Sequence, residues 1–343
     1  MTAAVPLSWL APHPIYRLLP RTMHSAVTLQ VLDAAVRIST SSPWLCTHVR
    51  NFCAAGPNWW RRYVTPHTSI DLHCVRSADG KSSALKIEAV LHSASMEERL
   101  VLACVPELWG WLNWASQNLL VSSLARRYHL IHAGAIASGR KALLLPAESG
   151  AGKSTLTAAL VLSGFSYLSD DIVIVDQDTY HIWPFSKPIM LRHPSLPRLD
   201  CEFPDWRVRR GGQYLFPVVE GVLVSPQGWL PDEPGDGFMV THIVFPRYQR
   251  GRVRSELHPI TRSEALIRLV RQRYGLAGGL DFRMFVSAMT ELVRGAACYT
   301  LTTGTLRSAV ACIDRLLGDA RRESSFVHTD RVPVPVHEPL RAP

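Results

Sequence analysis

The chain has 343 residues and carries 37 Lys and Arg against 28 Asp and Glu, a formal net charge of +9. A hydrophobic content of 47% excludes a disordered chain, and 24 prolines and 21 glycines without a period exclude collagen-like and repeat architectures. The length predicts about two domains. The positive charge raises three possible polyanionic partners: nucleic acid, an anionic membrane surface or a phosphorylated ligand.

Cysteine usage and hydropathy narrow the class of protein. The seven cysteines include no Cys-x-x-Cys pair, which disfavours a zinc ribbon, a thioredoxin-type site and a disulfide framework. The first residues lack the basic and apolar regions of a signal peptide. The most apolar stretch, residues 100–121, is interrupted by Glu107, Asn113, Gln117 and Asn118 and predicts a buried amphipathic helix rather than a membrane span. We expect a cytoplasmic protein that does not enter the membrane.

The first 95 residues predict a small α+β module. Residues 27–39, 69–74 and 84–92 are rich in β-forming residues, and residues 43–54 fit a short helix between them. A long helix is predicted from about residue 96 to residue 127. We expect its tryptophans to pack against the neighbouring domain.

From residue 130 the pattern changes to strand, glycine-rich loop, helix and strand. Residues 130–138 and 142–146 predict two apolar strands joined by a tight hairpin, and residues 155–162 predict a helix. Residues 172–176 form a β-branched run typical of a strand that is buried on both faces. This order is that of α/β nucleotide-binding domains. Further strands are predicted at 221–224 and 241–245, and further helices at 262–274, 282–293 and 306–317.

The segment Ala-Glu-Ser-Gly-Ala-Gly-Lys-Ser-Thr at residues 147–155, here called the glycine loop, matches the P-loop pattern with Ala147 in place of the first glycine. Glycines let backbone N–H groups turn toward phosphate oxygens, because no Cβ obstructs the approach. Lys153 is expected to reach the β- and γ-phosphates, and Ser154 to offer its hydroxyl to Mg²⁺. The following helix begins at the phosphates. The predicted nucleotide-binding residues are Glu148, Ser149, Gly150, Ala151, Gly152, Lys153, Ser154 and Thr155.

Two adjacent carboxylates, Asp170 and Asp171, follow the predicted helix where the next strand begins. In P-loop enzymes a carboxylate at such a strand end holds Mg²⁺. A pair allows one carboxylate to serve the metal and the other to accept the proton of an attacking hydroxyl. The alternative is a solvated Asp-Asp turn.

His132-Ala133-Gly134, the glycine loop, Ser163-Gly164 and Ser169-Asp170-Asp171 resemble the catalytic domain of the bacterial HPr kinase/phosphorylases. The chain is more similar still to the HPr-kinase-related kinase A proteins. Those proteins share a Trp-Gly-x-x-Asn-Trp helix, here residues 109–114, and an Ile-Val-Phe-Pro-Arg-Tyr segment, here residues 243–248. The resemblance extends from about residue 25 to residue 317.

This resemblance implies roles for individual residues. Asp170 would be the base that faces the acceptor hydroxyl, Asp171 would lie near Mg²⁺, and His132 would lie beside the acidic pair and the γ-phosphate. With Lys153, these residues form the catalytic and metal-binding set that the resemblance implies. Without the resemblance, the residue pattern favours a satisfied strand histidine at His132 over a catalytic one.

The chain departs from the family pattern at two places. The glycine-rich Glu-x-Arg-Gly signature is replaced by Lys-Pro-Ile-Met-Leu-Arg at residues 187–192, so the reverse phosphorylase activity has no support. The Pro-Gly-Arg-Asn run is replaced by Arg-Tyr-Gln-Arg-Gly-Arg at residues 247–252. The candidate cations for phosphate or substrate are Lys187, Arg192, Arg247 and Arg252, each with a solvated surface charge as the alternative.

The sequence therefore predicts the α/β class, with a small N-terminal α+β module (1–95), a connecting long helix (96–129), a P-loop kinase domain of the HPr kinase type with a mixed sheet flanked by helices (130–318) and a disordered tail (319–343). The predicted function is ATP- and Mg²⁺-dependent phosphorylation of a hydroxyl. The resemblance implies a Ser or Thr of a peptide or small protein as acceptor, a link to ribosomal-peptide maturation, and a homo-oligomer. The alternative is a catalytically silent ATP-binding regulatory module. Arginines at 207–210 and 247–254 raise nucleic-acid binding, which the absence of any recognition motif disfavours.

Overall fold

A computed structural model describes residues 25–40, 42–52, 66, 68–76, 85–93, 97–207, 215–274 and 281–324. The elements within these ranges are, in chain order, β1 (Ser25–Val31), β2 (Ala34–Thr40), α1 (Pro43–Phe52), β3 (Thr68–Arg76), β4 (Leu85–His92), β5 (Glu97–Leu102), α2 (Val105–Leu124), β6 (Tyr128–Ile131), β7 (Ala133–Ser138), β8 (Lys141–Pro146), α3 (Lys153–Leu162), β9 (Ser166–Ser169), β10 (Val173–Asp176), β11 (Ile182–Trp183), β12 (Ile189–Arg192), α4 (Leu196–Glu202), β13 (Leu215–Val218), β14 (Gly221–Val224), β15 (Met239–Tyr248), β16 (Glu256–Pro259), α5 (Arg262–Val270), α6 (Phe282–Gly295), β17 (Ala297–Thr303) and α7 (Leu306–Ser324). The chain is of the mixed α/β class, as predicted.

The strands β1 to β5 form a front sheet in that order. β2 and β3 are parallel, and α1 makes the crossover that parallel neighbours require. The other neighbouring strands of this sheet are antiparallel. The predicted β-rich segments and the short helix of the front module are confirmed.

The start of the long helix was predicted wrongly. Residues 97–102 are not its first turns but the strand β5, which pairs with β4. The physical reason is Pro106, which stands in the first turn of α2. Proline is tolerated there, but in a helix interior it removes a hydrogen bond and clashes with the preceding turn. A helix that ran from residue 96 through residue 106 would be broken at that point.

The back half holds a six-stranded mixed sheet in the order β16-β17-β15-β8-β7-β9. β15 is parallel to both β8 and β17, so the carboxyl ends of these three strands meet at one edge. The glycine loop leaves β8 at this edge, where ligands of α/β sheets commonly bind. Two three-stranded antiparallel sheets, β11-β10-β6 and β12-β14-β13, complete the described strands.

The predicted strand at residues 130–138 is divided in two at His132. β6 pairs with β10 in one sheet, whereas β7 pairs with β8 and β9 in another. The hairpin between β7 and β8 is confirmed. His132 therefore occupies the bend where the chain passes from one sheet to the next.

The remaining predicted elements are found with shifted ends. β10 is buried, as its β-branched sequence predicts. α5 ends at Val270, earlier than predicted, and α7 continues through Ser324 into the predicted tail. Residues 1–24, 208–210 and 325–343, which include predicted segments, lie outside the described residues. Among the helices of the described ranges, none combines the length and apolar character that a membrane crossing requires.

Helix α2 joins the two halves of the chain. Trp109 is 2% exposed, and its ring stacks on Phe52 of α1 at 5.7 Å and meets Phe216 of β13 edge-on at 4.8 Å. One apolar core contains residues of the front sheet, of α2 and of β6, β10, β13 and β14. The front module and the back half thus share a continuous core. Trp109 packs against the neighbouring domain as predicted, but Trp114 is 56% exposed.

We predict that Trp109→Ala lowers the free energy of unfolding by about 3–5 kcal/mol, because truncating a buried tryptophan leaves a cavity between two aromatic partners. Trp114→Ala on the same helix is the matched control, and we expect a change within about 0.5 kcal/mol. Denaturant unfolding followed by circular dichroism measures both. Equal effects of the two substitutions would contradict the shared core.

Candidate active site

The glycine loop connects β8 to α3 through two residues in left-handed backbone conformations. Gly150 has φ = +88° and Gly152 has φ = +89°, conformations that glycine adopts without steric cost. α3 begins directly after, at Lys153, and no side chain caps its first turn. The first backbone N–H groups of α3 have no partners within the helix, so they can donate to an anion.

Gly134 on β7 lets α3 approach the sheet closely. A Cβ atom at this position would lie 2.6 Å from Oγ1 of Thr157 and 3.4 Å from Cγ of Lys153. The Thr157 hydroxyl would have to move if the residue were larger, whereas the contact with Lys153 would be an ordinary one. Gly134 therefore allows the close approach of α3 to β7.

Two lysines converge on Asp171. Lys153 is 5% exposed, and its Nζ lies 2.9 Å from Nε2 of His132 and 3.2 Å from Oδ1 of Asp171. Lys187 is 8% exposed, and its Nζ lies 3.0 Å from Oδ2 of Asp171 and 2.5 Å from Oε1 of Gln117. Each carboxylate oxygen of Asp171 thus accepts from one ammonium group. Such charge-assisted hydrogen bonds are among the strong ones in proteins.

The backbone at Asp171 has φ = +86°, an uncommon conformation for a residue other than glycine. The turn is held by Ser169, whose hydroxyl donates to the carbonyl of Ile172. The carboxylate remains 35% exposed. Burial raises its pKa, but Lys187 and then Lys153 outweigh burial and hold the pKa of Asp171 well below its usual range. The carboxylate is therefore ionised at neutral pH.

Asp170 lies in a different environment. It is 1% exposed, and within the described residues neither carboxylate oxygen has a hydrogen-bond partner. Burial first, and the charge of Asp171 second, raise its pKa. The charges of Lys153 and Lys187 and the nearby Ser154 hydroxyl lower the pKa of Asp170, although Ser154 forms no hydrogen bond of ordinary geometry with Asp170. A buried carboxylate without a partner beside a hydroxyl fits a hard divalent cation such as Mg²⁺.

His132 lies between Lys153 and Tyr274. Burial and the charge of Lys153 lower its pKa, so the ring is neutral at pH 7. An ammonium group can only donate, so Nε2 accepts from Lys153 and Nδ1 carries the hydrogen, 3.7 Å from Oδ1 of Asp171. The ring of Tyr274 stacks on His132 at 6.4 Å with an interplanar angle of 21°. Gln117 donates to the Tyr274 hydroxyl at 3.1 Å.

The four candidate cations differ in their position relative to the acidic pair. Lys187 lies in the site, and Arg247 is exposed at the end of β15, on the sheet edge where the glycine loop begins. Arg192 is exposed at the far end of β12, and an extended chain places it about 16 Å from residue 187. Arg252 pairs with Glu256 at 2.5 Å within its own turn. The structure thus brings neither Arg192 nor Arg252 to the acidic pair.

Two residues of the site belong to none of the sequence motifs. Gln117 and Tyr274 are distant in sequence from the glycine loop and from each other, and they meet only in the folded chain. Gln117 does leave one signal, because it is a polar residue inside the most apolar stretch of the sequence. Tyr274 leaves none.

The described residues contain no group of three or more His, Cys, Asp and Glu side chains arranged to hold a metal ion by themselves. Mg²⁺ at nucleotide sites usually takes one or two protein ligands and completes its coordination with phosphate oxygens and water. Ser154 and Asp170 would be sufficient protein ligands for that arrangement.

No protein-family model matches the chain, and no curated protein matches it. Among solved structures, the Hpr(Ser) kinase/phosphatase from Coxiella burnetii is similar at 13% identity, over 57% of this chain and 97% of its own length, with a TM-score of 0.24. A likeness this weak assigns no role to any residue of this chain. The interpretation of the site therefore depends on its own geometry.

Proposed function

We propose that the protein is a phosphotransferase that moves the γ-phosphoryl group of ATP to a hydroxyl group, with Mg²⁺ as cofactor. The observation that carries this proposal is the convergence of two nearly buried ammonium groups, of Lys153 and Lys187, on Asp171 beside the glycine loop. Phosphoryl transfer requires positioning and charge neutralisation more than covalent participation of the protein. The site offers both.

Each residue has a task in binding the triphosphate. The backbone N–H groups of the glycine loop and of the first turn of α3 donate to phosphate oxygens. When ATP binds, the ammonium groups of Lys153 and Lys187 donate to phosphate oxygens in place of the Asp171 carboxylate. Both ammonium groups therefore lie beside the glycine loop before ATP arrives. Ser154 and Asp170 hold Mg²⁺, which supplies further positive charge to the phosphate oxygens when bound.

Asp171 then faces the acceptor. Once the two lysines bind phosphate, its carboxylate is free to accept a hydrogen bond from the acceptor hydroxyl and to take its proton. Its partial exposure allows the acceptor to approach, whereas Asp170 is enclosed beside Ser154. We therefore propose the reverse of the two roles that the family resemblance implies. Neutral His132 accepts from Lys153 and keeps its ammonium group directed at the phosphates.

The acceptor is proposed from the sequence resemblance alone. Relatives of that kind act on a protein serine, so a Ser or Thr of a peptide or small protein, including a ribosomally made precursor peptide, is the acceptor to test first. Transfer of label from [γ-³²P]ATP to such peptides is the direct experiment. Binding of ATP without transfer to any peptide or to water would favour the ATP-binding regulatory module instead.

We predict that Lys153→Met weakens ATP binding by about two orders of magnitude, because a buried ammonium group at the phosphates is lost. Lys141→Met is the matched control. Lys141 is exposed at the opposite end of β8 from the glycine loop, and its loss should leave the affinity within about twofold. Isothermal titration calorimetry measures both. An unchanged affinity in Lys153→Met would contradict the nucleotide site.

We predict opposite kinetic signatures for the two aspartates. Asp171→Asn should lower the transfer rate by about 10²–10⁴-fold without weakening ATP binding, because both lysines are then free for phosphate. Asp170→Asn should instead raise the Mg²⁺ concentration needed for half-maximal binding of ATP. Titrations of Mg²⁺ and ATP against the transfer rate separate the two effects. The converse pattern would restore the roles implied by the resemblance.

We predict that Asp170→Asn stabilises the ligand-free protein at neutral pH. Because folding raises the pKa of Asp170, the folded state holds this proton more tightly than the unfolded state, and its ionisation costs stability as the pH rises above the unfolded value. Asparagine avoids that cost. The gain in melting temperature should therefore grow as the pH rises above the ordinary range of an aspartate pKa.

The control for this pH series is Asp178→Asn, since Asp178 is exposed in a turn. It should show no such trend. If Asp170→Asn does not raise the melting temperature, or raises it equally at all pH values, the burial of the Asp170 carboxylate is not unfavourable and this prediction is wrong.

A further inference from the structure

Gln117 reaches two groups of the site from outside every sequence motif. Its Oε1 accepts from Nζ of Lys187 at 2.5 Å, and its Nε2 donates to the hydroxyl of Tyr274 at 3.1 Å. The ammonium group has no acceptor atom, so the amide can face Lys187 only with its oxygen. The amide oxygen and the amide nitrogen of Gln117 each have one partner, so the orientation of the side chain is defined.

Each contact of Gln117 leads to a group beside the glycine loop. Nζ of Lys187 also donates to Oδ2 of Asp171 at 3.0 Å. The ring of Tyr274 stacks on the ring of His132, and the backbone N–H of Tyr274 donates to the carbonyl of Leu130 at 2.8 Å. Both paths end at Lys153, which contacts Asp171 and His132. Gln117 therefore contacts Lys187 and Tyr274, whereas Lys153 keeps its own direct contacts with Asp171 and His132.

The position of Gln117 depends on the front module. The buried residues of α2 belong to the core that also contains the inner residues of the front sheet. Leu112 and Leu120, which flank Gln117 on this helix, are 0% and 1% exposed. Ser116 next to it is buried and donates to the carbonyl of Leu112 at 2.7 Å. The packing of α2 on the front sheet thus sets where the Gln117 amide meets the site.

We propose that Gln117 is a positioning residue that holds the Lys187 ammonium group against Asp171 and, through Tyr274, fixes the His132 ring. On this proposal α2 and the front sheet are part of the site's framework and not a separate binding module. The kinetic consequence rests on the proposed phosphotransfer, whereas the placement of Lys187 does not.

The first test measures the placement of Lys187 directly. Ligand-free protein is treated with an amine-reactive acylating reagent, and the rate at each lysine is read by peptide mass spectrometry. In Gln117→Met, which keeps the side-chain length but loses both hydrogen bonds, the rate at Lys187 should rise about tenfold. Gln117→Glu keeps an acceptor for the ammonium group and should restore protection. The rates at exposed Lys141 and at Lys153 should not change.

Two further variants complete the design. Asn118→Ala is the matched control. Within the part of the chain that the structure describes, the Asn118 side chain makes one hydrogen bond, to the carbonyl of Trp114 in its own helix. This substitution should leave every rate unchanged. Tyr274→Phe keeps the aromatic ring but removes the partner of Gln117 Nε2, so the rate at Lys187 should rise about threefold. This variant also tests the proposal if Gln117→Met does not fold.

The proposal is overturned if Lys187 stays protected in Gln117→Met and Tyr274→Phe. It is also overturned if Lys153 and Lys187 become reactive together, since that would mean general loosening of the fold. In the kinetic arm, Gln117→Met should lower kcat by about tenfold and change KM for ATP by less than about threefold. A wild-type protein that transfers no phosphoryl group would contradict the proposed function alone, because the acylation rates still decide the role of Gln117.

Discussion

The site depends on one carboxylate shared by two nearly buried lysines. Lys153 and Lys187 would repel each other if Asp171 did not stand between them. Asp171 accepts a hydrogen bond from each lysine and so keeps both ammonium groups beside the glycine loop. On the proposed function, phosphate oxygens would replace the Asp171 carboxylate as the acceptors for both lysines.

Keeping this arrangement has structural costs that the surrounding chain offsets. Asp171 adopts a positive φ, and Asp170 is enclosed without a hydrogen-bond partner among the described residues. Features of this kind cost stability and persist where the neighbouring packing determines them fully. Here α3 is buried along almost its whole length and lies on β7, where Gly134 allows the close contact. The stability of that packing holds the strained acidic turn next to the loop.

The two halves of the chain cannot be treated as independent units around this site. A single apolar core runs from the front sheet through α2 to β13 and β14, with Trp109 at the junction. Eight residues along the same helix, Gln117 contacts Lys187 and Tyr274. The helix that stabilises the fold therefore also delivers a polar side chain to the site. Substitutions in the front module can act on the site through α2, although the module carries no recognised motif.

The sequence alone determined the features that are local in the chain. The glycine loop, the helix after it, the β7–β8 hairpin and the Asp170-Asp171 pair are each encoded by neighbouring residues, because φ preferences, β-branching and helix starts are local properties. The same local logic failed at residues 97–102 and at residues 130–138. At residues 97–102 the chain pairs with the preceding strand β4, and Pro106 delays the start of the helix. At residues 130–138 the pairing of β6 with the distant β10 divides the strand at His132.

Only the tertiary structure decided which side chains complete the site. Lys187 and Arg192 stand five residues apart and looked equivalent in sequence, yet the extended β12 carries Arg192 away while Lys187 remains at Asp171. Gln117 and Tyr274 meet across 157 positions of sequence, and no local pattern can encode such a contact. The sequence thus determined the glycine loop and the acidic pair. The packing of α2 against both halves decided which groups surround them.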